Sequence, residues 1–212
     1  MVTHALVFRE SRNNMSEELE QIENETRPIV SQVVSHHLRA ALKSLRLTAV
    51  ADEHLARTPE NVAEFWMEFF APYLSHAAPP VIPTFPAQEM AGQCVLIKDL
   101  AYHSMCAHHL TPFFGEAHIA YVPHELGIGI GSPAKLLEFY ARRPQLQERL
   151  AVQLADGLIE ACQPRGVMVF LTARQMCMEM RGAKTKGAVE CFVARGCFEE
   201  DSWRQLFFAR LK

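Results

Sequence analysis

The chain has 212 residues, of which 49% are hydrophobic and 21% charged, and this balance is typical of one globular unit with or without an appended helical segment. The composition excludes a disordered chain, a collagen-like chain and a disulfide scaffold. The net charge of −3 is unevenly spread: residues 1–130 carry 8 basic and 15 acidic side chains, and residues 131–212 carry 13 and 9. We therefore expect an anionic ligand in the second half, and no nucleic-acid surface because no dense basic run occurs.

The longest uninterrupted apolar stretch, around 167–171, is far shorter than the roughly 20 residues that span a bilayer. The apolar start of the chain has no basic segment before it and meets Arg9 and Glu10 too soon for a signal peptide. Six cysteines without a regular framework spacing fit a reducing compartment. These features predict a cytoplasmic protein without a membrane contact.

Two helices are predicted in the N-terminal part, after an acidic segment over 16–25 that is expected to be a surface tail or a short helix. Thr26 has the position of an N-cap and Pro28 that of a first-turn residue of the first helix. The stripe that we expect to face the core consists of Ile29, Val33, His37, Ala41 and Leu45. The second helix is predicted to begin with Thr58 as N-cap and Pro59 at its first position. Its apolar stripe consists of Val62, Phe65 and Phe69.

After an extended linker over 77–87 with four prolines, the pattern changes from helical spacing to alternation. The elements predicted there are strands at 94–102 and 116–122, a helix from about Pro133, a helix after Pro144 with leucines at 146, 150, 154 and 158, and a buried strand at 167–173. From Gln175 onward, polar residues alternate with methionines at 176, 178 and 180. This alternation predicts a further strand, whose polar face carries Gln175, Cys177, Glu179 and Arg181. The sequence thus divides into an N-terminal tail with helices, 1–76, and a mixed domain, 88–212.

Cys106 and His109 have the C-x-x-H spacing that lets one turn present a thiolate and an imidazole to the same cation. Zinc favours this pair, and a catalytic zinc needs a third protein ligand, for which Cys177 is the natural candidate. His108 would then stand beside the metal as an acid or base. Taken alone, the motif is also open to a cysteine nucleophile with a histidine base, or to a buried structural cysteine beside a hydrogen-bonded histidine.

Several segments carry a more specific signal. They read Ser-Met-Cys-Ala-His-His at 104–109, Gly-Glu-Ala-His-Ile-Ala-Tyr-Val-Pro at 115–123, Ala-Arg-Arg-Pro-Gln-Leu-Gln-Glu-Arg-Leu at 141–150 and Met-Cys-Met-Glu-Met-Arg-Gly at 176–182. These four segments resemble the successive signatures of the GTP cyclohydrolase I family, in the same order and spacing. The segments at 24–27 and 57–59 resemble its helical N-terminal part. The sequence is therefore identified as a divergent member of the family, with the resemblance beginning near Ile22.

The resemblance implies an α+β tunnelling fold for residues 88–212. In that fold a four-stranded antiparallel sheet has two helices on one face and is preceded by N-terminal helices. The resemblance also implies a homo-oligomer, a decamer of two stacked pentamers. It further implies a zinc ion held by Cys106, His109 and Cys177.

The resemblance also implies roles toward a guanine-type purine that is attacked at C8. His108 matches the proton donor to the ring nitrogen, and Arg181 matches a phosphate contact. Gln147 and Glu148 match the residues that hold the guanine. Helical spacing alone would instead make these two side chains exposed, because they lie off the leucine stripe.

Some positions depart from the family pattern on the phosphate side. Asn61 stands where the family has an arginine that reaches the phosphates, and Gly131 and Ser132 stand where it has a Ser-Lys pair. Lys135 replaces an arginine. A triphosphate carries about four negative charges, and each lost charge-assisted hydrogen bond costs about 1.5–3 kcal/mol. We therefore expect weakened binding of GTP.

Two further departures lie among the expected catalytic residues. Gln175 stands where the family has a second histidine, and Ala107 replaces a glutamate. Because glutamine does not titrate, we expect the steps that need two acid–base groups to be the ones affected. The leading interpretation is a zinc-dependent hydrolase with an altered purine substrate. The alternatives are an authentic GTP cyclohydrolase I, which forms dihydroneopterin triphosphate and formate, and a non-catalytic purine-binding, pterin-binding or regulatory paralogue.

Overall fold

The computed structural model describes residues 27–48, 50, 52–90 and 92–211. The chain forms two compact units, Met1–Ala77 and Ala78–Lys212. The acidic tail expected over 16–25 and the expected N-cap Thr26 lie outside the described residues. In the part of the chain that is described, no helix is both long and apolar enough to cross a membrane.

The first unit is helical where it is described. Its helices are α1 over 27–44, α2 at Thr58–Phe69 and α3 at Ala71–Leu74. A short 3-10 helix at Glu53–Arg57 precedes α2, and the Asp52 carboxylate caps it by accepting the backbone N–H of His54 at 3.0 Å. The two helices expected from the sequence are therefore present.

The apolar faces predicted for α1 and α2 are wrong. Ile29 and Val33 of α1, and Leu45 just after it, are 63%, 53% and 68% exposed, so this stripe packs against no core among the described residues. In α2, Phe65 is 44% exposed, and the buried residues are Pro59, Ala63 and Met67. The reason is that helical spacing identifies an apolar stripe without identifying what covers it.

The start of α2 also differs from the prediction. The helix begins at Thr58 itself, so Arg57 flanks it and makes no side-chain capping bond. Pro59 lies in the first turn, where its missing N–H removes no helical hydrogen bond.

The described residues of the second unit form seven strands and four α-helices. The strands are β1 (Thr84–Pro86), β2 (Val95–Cys106), β3 (Pro112–Val122), β4 (Leu126–Ile128), β5 (Pro144–Gln145), β6 (Gly166–Gln175) and β7 (Ala188–Gly196). The helices are α4 (Ser132–Ala141), α5 (Gln147–Cys162), α6 (Met176–Glu179) and α7 (Asp201–Arg210). The main sheet has the order β5-β2-β3-β6-β7, in which the four long strands are antiparallel and β5 adds two residues parallel to β2.

The two faces of the main sheet pack against different helices, because successive side chains of a strand point to opposite faces. On one face Ile119 and Val169 pack in the main core with Leu154 of α5, and α4 contributes to the same core. On the other face Val122 and Met168 pack with aromatic residues of the C-terminal segment. The predicted four-stranded antiparallel sheet with two helices on one face is therefore confirmed, and α7 on the opposite face is an addition to it.

Two predicted strands differ in extent, and one strand was not predicted. The strand β1 lies in the segment expected to be a linker and pairs with β4, with Thr84 opposite Ile128. The strands β2 and β3 are longer than predicted, so that β2 runs on to Cys106. The helix α5 follows its leucine stripe and ends at Cys162, after which Gln163 adopts a positive φ of 44°.

The prediction of a strand over 175–181 is wrong. The last pair of the β3–β6 ladder is Phe113 with Gln175, and the residue before Phe113 is Pro112, which has no N–H to donate. The next four residues form the helical turn α6, for which methionine is well suited. Cys177, Glu179 and Arg181 therefore do not share a strand face.

Candidate active site

Cys106 is the last residue of β2 and lies at the start of a tight turn. Its backbone carbonyl accepts the N–H groups of His109 at 3.3 Å and Leu110 at 2.8 Å, and Leu110 has a positive φ of 49°. Its N–H donates to the carbonyl of Thr111 at 2.9 Å, which closes the turn. The turn brings the His109 ring back toward the buried thiol, with Nδ1 at 3.8 Å from Cys106 Sγ.

Cys177 reaches the same place from α6, the helical turn after β6. One ligand atom from each of Cys106, His109 and Cys177 lies within 4.8 Å of the other two. We call this group the Cys-Cys-His cluster. Sequence separation gives no hint of this proximity, and the register of β2, β3 and β6 produces it.

The donor set of the Cys-Cys-His cluster fits a zinc ion. Two sulfurs and one imidazole nitrogen are ligands that zinc prefers, and three protein ligands leave a fourth tetrahedral position open. Burial raises the pKa of the Cys177 thiol, and the neighbouring Cys106 sulfur raises that pKa further. A divalent cation reverses this preference, since thiols that bind it lose their protons.

An ion pair fixes the turn that carries Cys177. The Arg174 guanidinium, at the end of β6, donates two hydrogen bonds to the Glu179 carboxylate, at 2.9 and 2.5 Å. The same pair lowers the pKa of Glu179. The sequence left Glu179 without a role, because its contact with Arg174 arises only when the strand stops at Gln175 and the chain turns.

Arg181 lies at the exposed edge of the cluster. Its guanidinium lies 2.5 Å from Nε2 of His109. Arg181 is thus a cation beside the cluster, which is the position that an anionic group of a ligand would use.

Gln147 does not lie where helical spacing alone would put it. It is the first residue of α5 and only 2% exposed, and its Nε2 donates to the backbone carbonyls of Leu171 at 3.2 Å and Val189 at 2.8 Å. Its Oε1 accepts a hydrogen bond from Nε2 of Gln175 at 2.8 Å. Gln147 is therefore part of a buried amide network that reaches Gln175, the residue two positions before Cys177.

The other predicted site residues are exposed. Glu148, next to Gln147, projects to the surface as helical spacing indicates, and His108 projects from the turn with its ring 6.2 Å from that of His109. Cys191 of β7 is a neighbour that sequence analysis left without a role. Burial raises the pKa of its thiol to about 11, with a further contribution from the Glu148 carboxylate.

The sequence model of the GTP cyclohydrolase I family matches residues 34–212. The chain belongs to the GTP cyclohydrolase I family. This match confirms the resemblance seen in the sequence and supports a hydrolase of this family. The matched range includes every site residue predicted above.

Proteins named GTP cyclohydrolase 1 are similar to the chain over most of its length. The protein from Geobacillus kaustophilus is 44% identical over 152 residues, which are 71% of this chain and 80% of the relative. That from Streptococcus pyogenes is 42% identical over 151 residues, 70% of this chain and 77% of the relative. That from Bacillus pumilus is 39% identical over 176 residues, 82% of this chain and 92% of the relative.

The positions that depart from the GTP cyclohydrolase I family pattern have different environments. Asn61 is exposed on α2 in the first unit, and Gly131 and Lys135 are exposed at the start of α4. Ser132 is only 6% exposed, at the first residue of α4. Asn61 could be exchanged for a cation without disturbing this chain's core, whereas Ser132 could not.

Proposed function

We propose that this chain is a zinc-dependent hydrolase that attacks C8 of a guanine-type purine, by ring opening or hydration, and that recognises a triphosphate weakly. The observation that carries the proposal is the Cys-Cys-His cluster, whose ligand atoms lie within 4.8 Å of one another. Membership of the GTP cyclohydrolase I family supports the choice of substrate class. Together they favour an enzyme over a paralogue that only binds, since binding alone does not need an open metal site.

Cys106, His109 and Cys177 would hold the zinc ion, which when bound activates water for attack on an electrophilic carbon. The two sulfurs lie on separate elements, one at the end of β2 and one in α6. The Arg174–Glu179 ion pair holds the second element in place. The chain thus supplies a site that is preformed on a rigid sheet.

His108 is the group that we assign to proton transfer. It is adjacent to His109 in sequence and exposed, so it can approach a purine seated over the cluster. Protonation of the departing ring nitrogen avoids expulsion of an anion as the C–N bond breaks. An imidazole suits this role because its ordinary pKa lies near neutrality.

Glu148 and Arg181 are assigned to binding of the purine. The Glu148 carboxylate can accept the ring N–H and amino hydrogens of guanine, and it is exposed beside Gln147. Arg181 offers its guanidinium to an anionic group. Gln147 has its hydrogen-bonding groups engaged within the protein, so we assign it to support of the site.

The reduced number of cations supports a substrate with fewer phosphates than GTP. Asn61 and Ser132 offer no positive charge where the family pattern has an arginine and a lysine. Lys135, Lys184 and Lys186 remain in the second half of the chain. We therefore expect guanosine, guanine or a monophosphate to be a better substrate than GTP.

Authentic GTP cyclohydrolase I activity is the second candidate. It is favoured by identities of 39–44% to relatives named GTP cyclohydrolase 1. In that case GTP would be converted to dihydroneopterin triphosphate and formate. The remaining lysines would then replace the missing contacts to the phosphates.

We also propose a cytoplasmic homo-oligomer, a decamer of two stacked pentamers. The exposed apolar side chains of α1, among them Ile29 and Val33, support burial of this helix in an assembly. Mass photometry would measure the size directly. A particle of ten subunits is expected, and a monomer at micromolar concentration would contradict the proposal.

The proposed activity is tested by formate release from the zinc-loaded protein, with guanine, guanosine, GMP and GTP compared in one assay. Release from the less phosphorylated compounds in preference to GTP is expected. Release from GTP alone would support the second candidate. Zinc-loaded protein that binds these compounds without changing their ultraviolet spectra would refute both enzyme assignments.

A further inference from the structure

Two glutamine side chains form a hydrogen-bonded chain from the interior of the second unit to the Cys-Cys-His cluster. At the inner end, Nε2 of Gln147 donates to the backbone carbonyls of Leu171 and Val189, at 3.2 and 2.8 Å. Carbonyl oxygens only accept hydrogen bonds, so the end of Gln147 that faces them has to be the NH2 group. The orientation of this amide is therefore set by the backbone of β6 and β7.

The orientation passes from the first glutamine to the second. The remaining atom of the Gln147 amide, Oε1, is 2.8 Å from Nε2 of Gln175 and accepts its hydrogen. Because the NH2 group of Gln175 faces inward, its oxygen faces outward. Gln175 Oε1 lies 4.0 Å from Sγ of Cys177, at the margin of the cluster. The chain thus ends in an acceptor oxygen of fixed orientation.

We infer that Gln147 is a positioning residue, and that through it Gln175 presents an acceptor oxygen to N7 of the purine ring. This inference rests on the proposed function. Addition of water across the C8–N7 double bond forms a C8–O bond, converts the double bond to a single bond and places one hydrogen of the water on N7. N7 is an acceptor before this addition and an N–H donor after it.

The fixed oxygen distinguishes these two states of the ring. Toward the unreacted ring, Gln175 Oε1 opposes the lone pair of N7, and toward the hydrated ring it accepts the new N–H. Such a contact lowers the barrier to reaction without tightening the binding of the substrate. Glutamine does not titrate, so its oxygen keeps the acceptor role at every pH at which the protein is folded.

The kinetic test uses Gln175→Met, in which the side chain keeps its length and loses the acceptor oxygen. We expect kcat to fall about 10-fold while KM stays unchanged or decreases, because the interaction is made only as the ring is hydrated. Gln147→Met removes the hydrogen bond that orients Gln175. We expect a smaller fall in kcat, again without an increase in KM. Zinc content is measured in each variant, and it should equal that of the unmodified protein.

Gln153→Met provides the matched control. Gln153, also in α5, accepts Nε2 of Gln145 at 2.9 Å in a second amide pair, and Gln145 keeps a second acceptor, the carbonyl of Tyr140. This variant removes one amide contact of the same kind and should leave kcat unchanged. Gln147→Met removes the amide donor from two backbone carbonyls, so Gln175→Met, at a half-buried position, carries the test if the former fails to fold.

A binding measurement separates this inference from the proposed function. In 8-oxoguanosine N7 carries a hydrogen, whereas in guanosine it does not, so the ratio of their dissociation constants reports the acceptor directly without turnover. The zinc-loaded protein should prefer 8-oxoguanosine by about 10-fold, and Gln175→Met should lose that preference. The same preference in Gln175→Met would overturn the inference and leave the proposed function standing. Binding of neither compound by the unmodified protein would overturn the proposed function itself.

Discussion

The Cys-Cys-His cluster and position 61, where we expect a phosphate contact to be missing, are held by different kinds of structure. Cys106 is buried at the end of a long strand and fixed by backbone hydrogen bonds on both sides, and Cys177 is carried by a turn with its own ion pair. Asn61 is a single exposed side chain on α2. The chemistry at the cluster therefore depends on the fold, while recognition of an anionic group by residue 61 would change by one substitution at little cost to stability.

The largest effect is expected when one ligand of the Cys-Cys-His cluster is removed. In Cys177→Ala we expect zinc to fall from about one ion per subunit to nearly none, together with loss of all turnover, since two protein ligands do not make a stable zinc site. Elemental analysis of the purified variant gives the zinc content. Cys94→Ala, at an exposed cysteine outside the cluster, is the matched control and should retain both. Full zinc content in Cys177→Ala would refute the ligand assignment.

A smaller effect is expected when the support of the cluster is weakened. Arg174→Ala removes the ion pair that holds α6, so the affinity for zinc should fall about 10-fold, as is typical when groups behind a metal ligand are lost. Competition with a zinc-binding dye measures the affinity. Glu138→Gln, which breaks an exposed pair on α4, should leave it unchanged. Equal zinc affinity in Arg174→Ala and the unmodified protein would mean that α6 holds Cys177 without the pair.

The second region of the comparison, position 61, is tested by introducing a cation there. Asn61→Arg should increase the affinity for GTP by about 10-fold in the assembled protein and leave that for guanosine unchanged, because a charge-assisted hydrogen bond forms only with the phosphates. Asn61→Gln, of similar size and without charge, is the control. Calorimetric titration measures both ligands. A gain for guanosine as large as that for GTP would show that position 61 does not act through the phosphates.

The smallest effect concerns the core rather than the site. Burial raises the pKa of the Cys162 thiol from about 9 to about 11, so the folded state holds this proton more tightly than the unfolded state. The stabilisation is present below pH 9 and is lost as the pH rises toward 11. We expect the free energy of unfolding to fall over that interval, and Cys162→Ala to make the fall shallower. Urea denaturation at pH 8, 9, 10 and 11 measures this slope.

Much of the second unit was predictable because its elements repeat a simple period. The leucine stripe fixed α5 at 150, 154 and 158, and the apolar run at 167–173 identified most of β6. The C-x-x-H spacing identified Cys106 and His109 because one turn brings together residues three apart.

The sequence-based predictions were wrong where a local pattern fits two different structures. The methionines between 176 and 180 alternate as in a strand, but the ladder ends because Pro112 has no N–H for it. The ion pair of Arg174 with Glu179 and the amide contact of Gln147 with Gln175 depend on where strands end and on register, neither of which a local period encodes. Whether the apolar stripe of α1 is exposed or buried depends on what packs against it, and helical spacing does not encode that.

The most direct test of the central claim follows the carbon that we expect to be attacked. Guanosine labelled with carbon-13 at C8 is incubated with the zinc-loaded protein, and the label is observed by NMR. We predict that its aromatic signal is replaced by that of a hydrated carbon, a formamide or formate, and that a chelator abolishes the change. An unchanged C8 signal in fully zinc-loaded protein, with guanosine and with GTP alike, would contradict the account.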